Sequence, residues 1–172
     1  MQKSCHISTL PLFRMFAFSL CYLMVCGIHL IYSHAEACSY PYRRVGKNCY
    51  LINQEKVTAD TAFAPCIRHG TYLANFETLE ELLLMKYELK KMNSGSSFFI
   101  GGRNVNRYIS GGDWRWIKQG KMTKMAYFDF DSNEPNGSLA LPQDCVLLNA
   151  GSRYNLRSDT CDAYSIGFIC EK

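Results

Sequence analysis

Phe130-Asp131-Ser132-Asn133-Glu134-Pro135-Asn136, followed by Cys145, Cys161 and Gly167-Phe168-Ile169-Cys170, decides the reading of this chain. The tripeptide Glu134-Pro135-Asn136 alone arises easily by chance. Here it stands four residues after an aromatic and ahead of three cysteines. Cys38, Cys49 and Cys66 lie upstream, so six cysteines follow the hydrophobic N-terminal stretch.

That stretch sets the redox compartment. Lys3 and Arg14 carry positive charge, Met15 to Tyr32 is almost wholly apolar, and the small-residue segment Ser33-His34-Ala35-Glu36-Ala37 follows. The pattern predicts a secretory signal over residues 1–37, cleaved near Ala35 or Ala37, and a secreted, extracellular domain over residues 38–172 with no stable membrane span. About 18 apolar residues could just cross a bilayer, but His29 interrupts the run and no stalk separates it from Cys38. Cys5, Cys21 and Cys26 fall in the leader, which turns an odd count of nine into six that can all pair. Extracellular disulfides are the expected use of those six. Zinc would want close pairs such as C-x-x-C, whereas Cys161 and Cys170, the nearest two, have eight residues between them.

The remaining chain has the size of one domain, with no repeat or low-complexity linker. A net charge of +4 and the absence of a basic stripe interleaved with aromatics give no indication of nucleic acid. Arg115, Lys118, Lys121 and Lys124 cluster, and read as a solvated loop face rather than an anionic-glycan patch.

Local patterns predict an α+β fold. Gly46-Lys47-Asn48 centres a hairpin within Tyr42 to Ile52. Thr58 is placed to cap a helix from Ala59 to Ile67, although Pro65 sits late in it. Thr78, Glu80 and Glu81 open a second helix that closes at Lys90 and Lys91, as the helix dipole favours. Its expected apolar face is Leu79, Leu82, Leu83, Met85 and Leu89. Phe98 to Gly101 is a buried-strand candidate, Cys145 to Leu148 and Ile166 to Cys170 are closing strands, and Gly101 to Gln143 reads as a long polar loop with aromatic islands. A loop of that length in a compact domain is usually functional.

The order of these features, with Phe99-Ile100-Gly101-Gly102, Asp113-Trp114-Arg115-Trp116 and the tail quoted above, resembles the C-type lectin-like domain across Cys38 to Lys172. The family usually has Trp where Phe99 and Phe130 stand. The resemblance implies two helices flanking small antiparallel sheets with a long inserted loop. It also implies bridges Cys66–Cys170 and Cys145–Cys161, with Cys38–Cys49 marking the long form; spacing alone leaves many pairings open.

The resemblance further implies calcium-dependent binding of mannose-type glycans, in the setting of innate immune recognition. In sugar-binding members a calcium ion leaves coordination positions for two vicinal hydroxyls, each of which also donates to a carboxylate and accepts from an amide. On this pattern Glu134 offers the carboxylate and Asn136 the amide, with Pro135, expected cis, fixing their directions. The implied metal ligands are Glu134, Asn136, Gln143 and Asn155, and the implied sugar contacts Glu134, Asn136 and Asn155. Two departures stand out. Gln143-Asp144 replaces the family's Glu-Asp, and the positions of its W-N-D motif are filled by Leu156-Arg157-Ser158, where Arg157 would repel calcium. With two residues inserted, Tyr154-Asn155-Leu156 becomes the counterpart. Asn136-Gly137-Ser138 is also an N-glycosylation sequon, so a glycan on Asn136 would block the site.

The alternative is a calcium-independent module of the same fold contacting protein or another surface, for which Trp114, Trp116, Tyr127 and Phe128 are candidate contacts. No constellation of catalytic roles can be assembled from the sequence, so an enzyme is not expected.

Overall fold

The computed structural model describes residues 37–126, 129–162 and 165–172. The signal-peptide reading and the contact roles of Tyr127 and Phe128 therefore lie outside the described residues. The hairpin forms where the turn residues place it: β1 (Arg43–Val45) and β2 (Asn48–Val57) pair antiparallel with Val45 opposite Asn48. β2 runs on past the expected end and pairs with β9 (Ile166–Glu171), which joins the two ends of the domain.

Both helices begin at their predicted caps. The Thr58 side chain accepts from the Thr61 amide at the start of α1 (Ala59–Arg68), and α1 accommodates Pro65. Thr78 and Glu81 form a reciprocal capping box at the start of α2 (Leu79–Met92). The face of α2 differs from the expectation. Leu82, Met85, Lys86 and Leu89 are buried, the i, i+3, i+4, i+7 set of one helical stripe, whereas Leu83 lies off that stripe and Leu79, the first residue of the helix, is exposed.

β4 (Phe98–Asn104) lies at the centre. It pairs parallel with β9 and antiparallel with β5 (Trp114–Lys118) and β7 (Cys145–Asn149), so the sheet is mixed rather than purely antiparallel. The two-residue strand β3 (Tyr72–Leu73) pairs with β9. Strand alternation sends Phe98 and Ile100 toward α2, where they join Leu82, Met85, Leu89 and Trp116, and sends Phe99 toward α1, where it joins Ala62, Phe168 and Leu147. β4 is thus covered on both faces, which explains its near-continuous apolar start. Gly101 is required by close approach: a Cβ there would lie 2.1 Å from Asn75 Oδ1 and 2.8 Å from the Leu73 carbonyl oxygen.

The stretch read as one long loop contains a hairpin. β5 and β6 (Lys121–Lys124) join through Gln119 and Gly120, both at positive φ, the backbone that a tight two-residue turn needs. Trp114 and Trp116 point inward from β5 at 5% and 2% exposure, so they are core and not a contact surface. The disulfides are Cys38–Cys49, Cys66–Cys170 and Cys145–Cys161. Among the described residues no helix is long and apolar enough to cross a membrane.

Candidate functional site

The strand that builds the site was not foreseen in the sequence. β8 (Asn155–Asp159) pairs antiparallel with β7, setting Ser158 opposite Val146 and Asn155 opposite Asn149. Alternation along β8 buries Leu156 and Ser158 and leaves Arg157 exposed. Ser158, fully buried, sits at the meeting point of the loop residues.

Its hydroxyl lies 2.7 Å from Glu134 Oε2 and 2.9 Å from Gln143 Oε1, and it accepts from the Asn136 backbone N–H at 3.3 Å. One hydroxyl proton cannot serve two acceptors fully, and the nearer, charged carboxylate is the stronger one. The Ser158 backbone N–H also donates to Glu134 Oε2, at 3.2 Å, and Asn136 Nδ2 donates to Glu134 Oε1 at 3.0 Å. The Glu134–Pro135 peptide bond is cis. The Glu134 side chain is left 7% exposed, with Arg157 Nε 3.7 Å from its Oε1 and 4.0 Å from Asp159 Oδ2.

Of the four side chains expected to act together, Glu134, Asn136 and Gln143 converge and Asn155 does not. Asn155 is three residues back along β8, and its Oδ1 accepts from Lys86 Nζ at 2.6 Å. Lys86 also forms an ion pair with Asp129, so the two loop segments that frame the site are tied to α2. The two-residue insertion that would have recruited Asn155 is not made: Leu156 is core, its backbone N–H donates to Asp129 O, and its carbonyl accepts from the Asp131 N–H. The residue overlooked as a site member is Ser158. Its signal was its place in the W-N-D positions, next to Arg157.

A second carboxylate on the same end is also neutralised by arginine. Asp144 pairs with Arg107 and accepts from Asn104 Nδ2 at 3.1 Å. Arg115 holds Asp113 through two bonds, at 2.8 and 3.0 Å, which lowers the Asp113 pKa and raises that of Arg115. Two cavities flank the Gly111-Gly112 segment and Pro135. One of about 290 Å³ is walled by Arg107, Gln143 and Asp144; the other, of about 640 Å³, opens on Glu134, Arg115 and Lys124.

As a calcium site the donor set does not fit. Calcium takes six to eight oxygens, normally with several carboxylates. Here one carboxylate, two amides and a hydroxyl converge, and a guanidinium stands beside the carboxylate. A divalent ion roughly 5 Å from that guanidinium would be repelled by about 6–7 kcal/mol at an effective dielectric of about 20, before solvent screening. The one group of three acid, histidine or cysteine donors close enough to share an ion among the described residues is Asp60 with Cys145 and Cys161, both spent in a disulfide.

Residues 55–172 match the family model of the Lectin C-type domain. The chain belongs to the C-type lectin family. Membership makes it a binding domain rather than an enzyme, and accounts for the two helices, small mixed sheet and three disulfides. It is 25% identical over 140 residues to the mouse C-type lectin domain family 4 member G, covering 81% of this chain and 44% of that protein; it therefore spans less than half the relative's length. The human scavenger receptor C-type lectin carbohydrate-recognition domain shares the fold, with a TM-score of 0.66 and 24% identity over 79% of this chain and 98% of that one. A calcium-independent type II antifreeze protein matches with a TM-score of 0.64 and 27% identity, covering 82% of this chain and 98% of that one.

Proposed function

We propose that this C-type lectin domain is a secreted glycan-binding module that engages vicinal sugar hydroxyls at Glu134 and Asn136 without calcium. The observation that carries the reading is the Ser158 hydroxyl between Glu134 and Gln143, with Arg157 on the remaining carboxylate oxygen. The positions from which an ion would be held are filled by the protein's own donors.

Glu134 Oε1 and Asn136 Nδ2, 3.0 Å apart, pair an acceptor with a donor at the spacing of adjacent sugar hydroxyls. One hydroxyl donates to the carboxylate while its neighbour accepts from the amide. Arg157, half-exposed, adds N–H donors that the carboxylate does not exhaust. Ser158 and Gln143 act behind these groups, holding the Glu134 carboxylate in place. Mannose-type hydroxyl geometry is the specificity that the E-P-N order supports. The 27%-identical antifreeze relative, described as calcium-independent, supports dispensing with the ion.

Three or so hydrogen bonds at about 0.5–1.5 kcal/mol each give a dissociation constant of order millimolar for one sugar unit. The test is calorimetric titration of methyl α-mannoside in EDTA. Millimolar binding abolished by Glu134→Gln is the expected result. Absence of binding by any sugar, with the domain folded, would move the function to the calcium-free protein-contact alternative.

A further inference from the structure

The smaller cavity has a chemistry of its own. Arg107 is about two-fifths exposed at its wall, while its partner Asp144 is mostly covered. The guanidinium spends one edge on Asp144 and keeps further N–H donors, and Asp144, although it accepts from Arg107 and Asn104, has lone pairs left. Ile109, Pro135 and Leu139 supply apolar wall beside these groups. A surface that places a donor next to an acceptor, with an apolar flank, suits a sugar ring, which presents hydroxyls at its edge and C–H groups on its face. At about 290 Å³ the space is at the small end of ligand cavities and takes one monosaccharide unit.

The cavity is also wired to the Glu134 site. Gln143 lines it, and the same side chain meets the Ser158 hydroxyl that binds Glu134. Pro135 lines it as well, between Glu134 and Asn136. Resting on the glycan-binding reading above, we infer that the ligand is an oligosaccharide, with one unit on Glu134 and Asn136 and the adjoining unit in the cavity against Arg107 and Asp144.

The test compares the methyl glycosides of mannose, N-acetylglucosamine and galactose with their linear trisaccharides, titrated in EDTA against the full chain and two variants. Arg107→Ala removes the donor, and Leu139→Trp fills the cavity from an exposed position. The inference predicts a trisaccharide bound about tenfold tighter than its monosaccharide, the effect of one or two added hydrogen bonds. Both variants should lose that gain while monosaccharide affinity stays within twofold. A trisaccharide no tighter than the monosaccharide, or a gain that survives Leu139→Trp, overturns the second unit and leaves the Glu134 site standing. Binding of none of the sugars overturns both.

Discussion

Around β4 the chain is held by apolar burial: Phe98, Phe99, Phe168, Leu148 and Trp116 are almost wholly covered, and the Cys66–Cys170 bridge ties α1 to the last strand. At the loop end the ties are polar, with Arg157 at Glu134, Arg107 at Asp144, Arg115 at Asp113 and Lys86 at Asp129. Apolar burial is non-directional and scales with area, so the sheet half tolerates Phe for the family's Trp at position 99. Polar ties depend on which atoms face each other. A change of one carboxylate to serine or arginine there alters what the loop can bind without touching what folds the domain.

That contrast can be broken most severely in the core. Phe98→Ala is expected to cost about 3–5 kcal/mol in denaturant unfolding, since its ring is fully buried on the α2 side of the sheet. Replacing Cys66 and Cys170 together by alanine should cost about 2–5 kcal/mol, because the bridge closes a separation of 104 residues. Losses below about 1 kcal/mol in either case would mean that the sheet half is not what carries stability.

Smaller effects sharpen the comparison at the loop end. Arg157→Asn with Ser158→Asp restores a carboxylate and removes the repelling charge; this double variant should gain about 1–3 kcal/mol of stability from saturating calcium where the parent gains none. Lys86→Met strands Asp129 and the side-chain amide oxygen of Asn155. Because Asp129 is partly solvated, about 1–2 kcal/mol is expected, with glycan affinity falling along with loop order.

The smallest effect lies at Glu171, beneath α2's capping box and far in sequence from the loop. Burial, partly opposed by the Asn75 amide and Lys118, raises its pKa above the ordinary 4.5. A raised carboxyl pKa means that Glu171's contribution is fully present below the unfolded value and is lost as pH rises through the folded one. The stability of the parent relative to Glu171→Gln should therefore fall as pH rises past the ordinary carboxylate range, in melting curves of the two proteins. A relative stability that rises with pH would contradict the assignment.

Much of this fold was legible because the sequence signals were local. Thr58 and Thr78 cap the helices they announce, Gly46 turns the first hairpin, and all three disulfides follow the order that the family resemblance implies. Where tertiary context decided, the signals failed. Lys86 is not among the residues of the expected apolar face and is buried because a carboxylate and an amide from distant segments meet it. β8 carries no strand signal in the sequence because its inward residue at position 158 is a serine, whose burial is compensated by hydrogen bonds rather than by apolar area. Glu134, Asn136 and Gln143 were identifiable from motif order. That Ser158 rather than Asn155 completes them depended on strand register, which a strand of mixed polarity does not reveal.

The most direct test of calcium-free recognition is titration of methyl α-mannoside into the oxidised protein twice, once in EDTA and once in millimolar calcium. Equal affinity in the two solutions, lost in Glu134→Gln, is the predicted result. Binding that appears only with calcium, accompanied by a calcium-dependent rise in melting temperature, would contradict it.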